Sequence, residues 1–189
     1  MRKLTVLFAA AVLMAASATF ARAEEDGGVE VSLSLTYGIL LSPDVDDSGG
    51  LGITVQGFFG QFMLGERELD WGVEIGTQKL WDEEFFSAKT MPILALARYN
   101  MEPMDGGITP YILMGAGFFR TSWEVEIPGV LTMSDSDLDF GISLGLGGRM
   151  ELSDTMFGDA IIRYSRIFDD VADDSASMLN IGVNVGTFF

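Results

Sequence analysis

Eight charged residues share one parity within segments where apolar and polar residues alternate: Glu30, Glu74, Arg98, Arg120, Arg149, Glu151, Asp159 and Arg163. Four arginines can neutralise four carboxylates, a balance that contrasts with a formal charge of −17 for the whole chain. The chemistry open to such a set is ion pairing in a place water reaches poorly, where an unpaired charge is costly. Acid–base catalysis lacks its usual agent, because the sequence contains no His and no Cys. Their absence removes the common hydrolase triads, thiol chemistry, disulfides and most zinc sites.

Other constellations fall short of a working pattern. Asp135-x-Asp137-x-Asp139 opens like a calcium loop, but Phe140 stands where that loop needs Gly and Leu146 where it needs Glu. Asp44, Asp46 and Asp47, then Asp82, Glu83 and Glu84, then Asp169, Asp170, Asp173 and Asp174 read as solvated loop residues. Neither Gly115-x-Gly117 nor Gly145-x-Gly147 completes a dinucleotide fingerprint or opens a helix. In a strand such glycines relieve crowding. With no Gly-x-Ser-x-Gly elbow either, the sequence predicts no catalytic residue, cofactor or metal site, and a protein that is not an enzyme.

The elements that must position the charges are strands. Period-2 alternation bounded by turn residues predicts eight: Val29 to Leu41, Leu51 to Leu64, Trp71 to Trp81, Lys89 to Met101, Ile108 to Glu124, Leu138 to Leu152, Met156 to Phe168 and Ser177 to Phe189. The sixth is the clearest, with Phe140, Ile142, Leu144, Leu146, Met150 and Leu152 against Asp139, Gly141, Ser143, Gly145, Gly147, Arg149 and Glu151. Long or acidic connections, from 42 to 50, 82 to 88, 125 to 137 and 169 to 176, alternate with compact turns at 65 to 70, 102 to 107 and 153 to 155. Each strand reaches the length of about 10 residues that crosses a bilayer at a tilt. An even number lets the meander close, with the polar face and its charges inside.

Met1-Arg2-Lys3, an apolar run from Leu4 to Ala15 and Ala21-Arg22-Ala23 read as a secretory signal peptide over residues 1–23, leaving one domain over 24–189. The mature chain then carries 8 basic and 28 acidic residues, a formal charge of −20, so nucleic acid is excluded as a partner. Parity puts Lys79, Lys89 and Arg166 on the apolar outer face near the loop ends, where long stems can snorkel to lipopolysaccharide phosphates. Aromatics gather at strand ends as a membrane interface requires: Trp71, Tyr99, Tyr111 and Phe189 toward the turns, Tyr37, Trp81, Trp123, Phe140 and Phe168 toward the loops.

Several stretches resemble the outer membrane protein β-barrel family, the small barrels related to outer-membrane proteins A and X. They are Pro110 to Arg120 (PYILMGAGFFR), Phe140 to Leu152 (FGISLGLGGRMEL) with Ile161 to Arg166 (IIRYSR), Pro92 with Arg98-Tyr99, and the closing Leu179 to Phe189. The resemblance implies an all-β, eight-stranded antiparallel up-and-down transmembrane β-barrel in the outer membrane of a Gram-negative bacterium, delivered to the barrel assembly machinery through Phe189. One departure is Thr187, where such barrels often carry a further aromatic residue.

The function expected is that of a barrel with a plugged, ion-paired lumen and acidic extracellular loops, serving a structural or surface-interaction role in contact with membrane lipid and lipopolysaccharide. The alternative is a narrow, porin-like channel for ions or small solutes gated by the Arg and Glu groups. A third reading is a soluble lipocalin-like barrel.

Overall fold

The computed structural model describes residues 28–41, 49–65, 67–83, 86–127, 131–168 and 175–189. The expected signal peptide, the clusters at Asp44 to Asp47 and Asp169 to Asp174, and the side chains of Trp81 to Glu84 lie outside the described residues. Eight strands follow one another: β1 (Glu30–Leu40), β2 (Gly49–Leu64), β3 (Arg67–Glu83), β4 (Phe86–Asn100), β5 (Ile108–Ile127), β6 (Leu131–Ser153), β7 (Met156–Phe168) and β8 (Ser175–Phe188). Each pairs antiparallel with its neighbours in sequence, and β8 returns to β1, so the sheet is a closed barrel.

Several strand boundaries differ from the sequence reading, most of all at two connections. β3 begins at Arg67 rather than Trp71, because the β2–β3 connection tightens at Gly65, whose φ of 67° suits glycine. β5 and β6 extend together to the pair Ile127 and Leu131, so most of the expected loop from 125 to 137 is a hairpin arm with Trp123 opposite Asp135. Asp135, Asp137 and Asp139 therefore lie along an extended strand and do not curl around an ion.

Closure sets the geometry. Following paired residues once round the ring from Glu30 reaches Met178 on β8, whose partner on β1 is Leu40, ten residues beyond the start. A stagger of this size over eight strands tilts them about 40° and leaves an interior just wide enough for side chains. That interior is filled on one side by apolar groups of β4 to β7, including Leu94, Leu96, Leu113, Phe119, Ile161 and Ile167. The wall from β8 through β2 presents Ser32, Ser34, Thr36, Thr54, Asn180 and Asn184 instead, all buried. Glycine makes the large groups fit: a Cβ on Gly141 would lie 2.7 Å from the Phe119 ring.

The outer face is inverted with respect to a soluble protein. Leu33, Leu35, Ile53, Val55, Ile142, Leu144, Leu146, Ile162, Val183 and Val185 are each between 44% and 63% exposed. A continuous apolar belt around a whole molecule exceeds what water tolerates on a monomer and matches a hydrocarbon layer. Near the loop side the belt ends in aromatic rings, with Phe140 6.0 Å from Phe118 and 6.3 Å from Phe168.

A ring with no unpaired edge resists detergent. Unheated protein in dodecyl sulfate electrophoresis should run as a folded band whose mobility differs from the boiled sample; identical mobility before and after boiling would count against closure.

Candidate functional site

Alternation aims every second side chain of each strand into the lumen, and the tilt lets strands far apart in sequence meet there. Glu30, at the start of β1, is the hub. Arg98 on β4 donates from both terminal nitrogens to its two carboxylate oxygens at 2.7 Å each, and Arg149 on β6 does the same at 2.7 and 2.8 Å. Two planar guanidinium forks thus grip one carboxylate, the geometry in which an arginine pair is strongest. Each fork lies on an aromatic ring, Arg98 3.9 Å from the centre of Phe58 and Arg149 3.8 Å from that of Phe157.

The hub extends sideways. Arg98 also donates to Asp70 from Nε at 2.9 Å and Nη2 at 2.7 Å, and Asp70 accepts from Asn100 at 2.7 Å and Gln61 at 3.2 Å. Arg149 stands 3.7 Å from Asp159, which accepts 2.8 Å from the Tyr111 hydroxyl and a further bond from the Asn184 amide. A second cluster sits farther along the lumen, where Arg163 and Gln56 donate to Glu74 Oε2 at 2.6 and 2.7 Å. These contacts link β1 to β4 and β6, and β3 to β7, across the barrel rather than around it. Below the hub a cavity of about 330 Å3, bordered by Glu30, Asp70, Arg98, Arg149 and Glu151, opens toward the turn side.

Of the eight charges expected inside, Glu30, Glu74, Arg98, Arg149, Asp159 and Arg163 join these clusters. Glu151 keeps the inward parity but is exposed at the cavity rim and makes no ion pair among the described residues. Arg120 corrects the sequence reading: it is exposed on the outer face, its Nη2 3.4 Å from Ser136 Oγ. On β5 the inward positions are Tyr111, Leu113, Gly115, Gly117 and Phe119, so Arg120 takes the opposite parity. The consecutive pair Phe118-Phe119 concealed this, since either ring could have faced lipid.

Asp70 and Tyr111 were missed as lumen groups. The sequence reading places Asp70 in a turn, although it shares the parity of Glu74 four residues on. Tyr111 was assigned to the interface belt, yet it is 3% exposed inside the barrel. The observed account is three arginines against the carboxylates of Glu30, Asp70, Glu74 and Asp159, with Tyr111 and Asn184 donors supplementing Asp159. On the outer face, Lys79, Lys89 and Arg166 are exposed; Lys79 stands directly opposite Lys89, and Arg166 lies 5.8 Å from the Phe168 ring.

The sequence matches the outer membrane protein beta-barrel domain family over residues 7–186. No curated protein matches it. Among solved structures it is similar to Neisserial surface protein A, with 15% identity, a TM-score of 0.67, and 87% of this chain and 100% of the other covered. The Yersinia pestis attachment invasion locus protein Ail is similar at 14% identity and TM-score 0.55, covering 87% and 99%. The outer membrane enzyme PagL follows at 10% identity and TM-score 0.52, covering 82% and 97%. Identities this low speak for the fold alone, and because one of these barrels is an enzyme, the fold does not decide for or against catalysis. Together, the closed eight-stranded ring, its lipid-directed apolar belt and the match along nearly the whole sequence show that this chain belongs to the outer membrane protein beta-barrel domain family and resides in the bacterial outer membrane.

Proposed function

We propose that this chain is a non-enzymatic outer-membrane barrel whose ion-paired lumen acts as a plug, leaving the acidic extracellular connections to serve a structural or surface-interaction role. The observation that carries the reading is the double fork on Glu30, with Arg98 and Arg149 reaching across the lumen to it from β4 and β6, on either side of β5. Groups held by four short charge-assisted bonds do not part for a passing ion without a large loss of interaction energy. Leu94, Leu96, Leu113 and Phe119 support the plug by filling the lumen beyond it. The absence of His removes the usual general base, and Glu30, Asp70, Glu74 and Asp159 each have an arginine within ion-pair distance.

A narrow channel is the second reading. The buried Thr36, Thr54, Ser165 and Asn180 side chains have polar atoms without a protein partner, so one wall of the lumen offers groups that hydrate. Planar-bilayer recording separates the readings. The plug predicts no steady conductance from the natural protein; a reproducible single-channel current altered by Arg149→Ala or Glu74→Ala would establish the channel instead.

We further propose that the exposed cations at the loop-side end of the belt, for which the sequence offers Lys79, Lys89 and Arg166 as candidates, supply the contact with lipopolysaccharide phosphates at the outer leaflet. All three are exposed at the loop-side end of the apolar belt, where charged heads can leave hydrocarbon.

The ion pairs also set stability. Arg98→Met should lower the unfolding free energy by about 3–5 kcal/mol, because Glu30 and Asp70 then lose their shared cation in a closed interior. Arg120→Met should leave the urea midpoint nearly unchanged. Equal midpoints for the two variants in detergent micelles would contradict a stabilising role for the hub.

A further inference from the structure

The eight basic residues outside residues 1–23 are distributed with a strong bias. Arg98, Arg149 and Arg163 are in the lumen; Arg67 is at the turn side, 4.8 Å above the Tyr99 ring. The other four, Lys79, Lys89, Arg120 and Arg166, are exposed on the outer face at the loop-side end of the belt. In a chain of formal charge −17, these four cations gather at one level of the outer face.

Three of the four are contiguous. Lys79 on β3 is the direct cross-strand partner of Lys89 on β4. Lys89 pairs with Ser122 and Met91 with Arg120 on β5, which makes Lys89 and Arg120 diagonal neighbours. Opposite residues on one face have Cβ atoms about 5 Å apart and diagonal ones about 7–8 Å, within reach of one phosphate for stems this long. Arg166 stands apart: β6 separates β7 from β5, and at this level β6 carries Phe140, stacked on Phe168 beside Arg166.

We propose that Lys79, Lys89 and Arg120 form a single anion site for a phosphate group of an outer-leaflet glycolipid, with Arg166 outside it. The site rests on the lipopolysaccharide contact proposed above and narrows it, replacing Arg166 with Arg120. The ligand is lipid-borne because the three cations border the apolar belt, where Ile75 on the strand of Lys79 and Ile142 beside the strand of Arg120 are half exposed, whereas a free anion would gain nothing from that face. Arginine supplies a planar fork and the lysines supply movable point charges.

The test uses the full barrel in phosphatidylcholine nanodiscs, titrated with fluorescent bisphosphorylated lipid A. Lys79→Ala, Lys89→Ala and Arg120→Ala should each weaken binding roughly tenfold, the value of one charge-assisted hydrogen bond. Arg166→Ala should stay within about twofold, and Arg120→Lys should recover part of the loss by restoring the charge. Heat-modified mobility in electrophoresis confirms that each variant is folded. If dephosphorylated lipid A binds the natural protein as tightly as the bisphosphorylated form, the broader lipopolysaccharide reading fails. If phosphate matters but Arg120→Ala binds normally, or Arg166→Ala loses as much as Lys89→Ala, the three-residue site alone is overturned. Displacement of the lipid by an equal concentration of inorganic phosphate would overturn the assignment to a lipid.

Discussion

Every backbone N–H and C=O that enters hydrocarbon must find its partner within the protein, since an unsatisfied one costs several kcal/mol there. For strands this is possible only if the sheet has no edge, and the pairing of β8 with β1 from Glu30 to Leu40 meets that demand. Closure then fixes what the side chains must do. With eight strands staggered by ten residues, the exterior becomes a belt for Leu, Ile and Val, and the interior becomes a narrow tube that side chains fill.

The tube makes its charges interdependent. Glu30, Arg98 and Arg149 are largely buried, and each depends on opposite charge nearby: Glu30 on both arginines, Arg98 on Glu30 and Asp70, and Arg149 on Glu30 and Asp159. The pairs cross the lumen between strands separated by up to 119 positions in sequence, so they brace the ring against flattening in a way that neighbouring-strand hydrogen bonds cannot. The same crowding explains the apolar wall opposite the hydroxyl wall: a second polar set would need partners for which there is no room. It also explains why Phe119 occupies a lumen position with Gly141 beside it.

What surrounds the barrel is as constrained as what fills it. Basic residues in the lumen are held by carboxylates; those outside stand where belt meets headgroup. The result is a molecule of strongly acidic formal charge whose three lumen arginines are bound to carboxylates and whose outer-face cations gather at the loop-side end of the belt.

Much of this was legible in the amino-acid order. Alternation named eight strands because a pleated strand has a period of two, and it put Glu30, Glu74, Arg98, Arg149, Asp159 and Arg163 on one face for the same reason. It failed where alternation itself blurs. Two adjacent phenylalanines made the parity of β5 ambiguous and sent Arg120 to the wrong face, while turn-forming neighbours hid Asp70 at the start of β3. Tyr111 was misplaced because a tyrosine at a strand end suits a membrane interface as well as a lumen carboxylate. The sequence by itself determined the element type, the strand number and the face of those charges that lie in cleanly alternating stretches, all of which are local properties of a pleated chain. Only the closed tertiary structure decided which charges meet, because partnership across a lumen depends on stagger and on the strand opposite, and neither is encoded within any one strand.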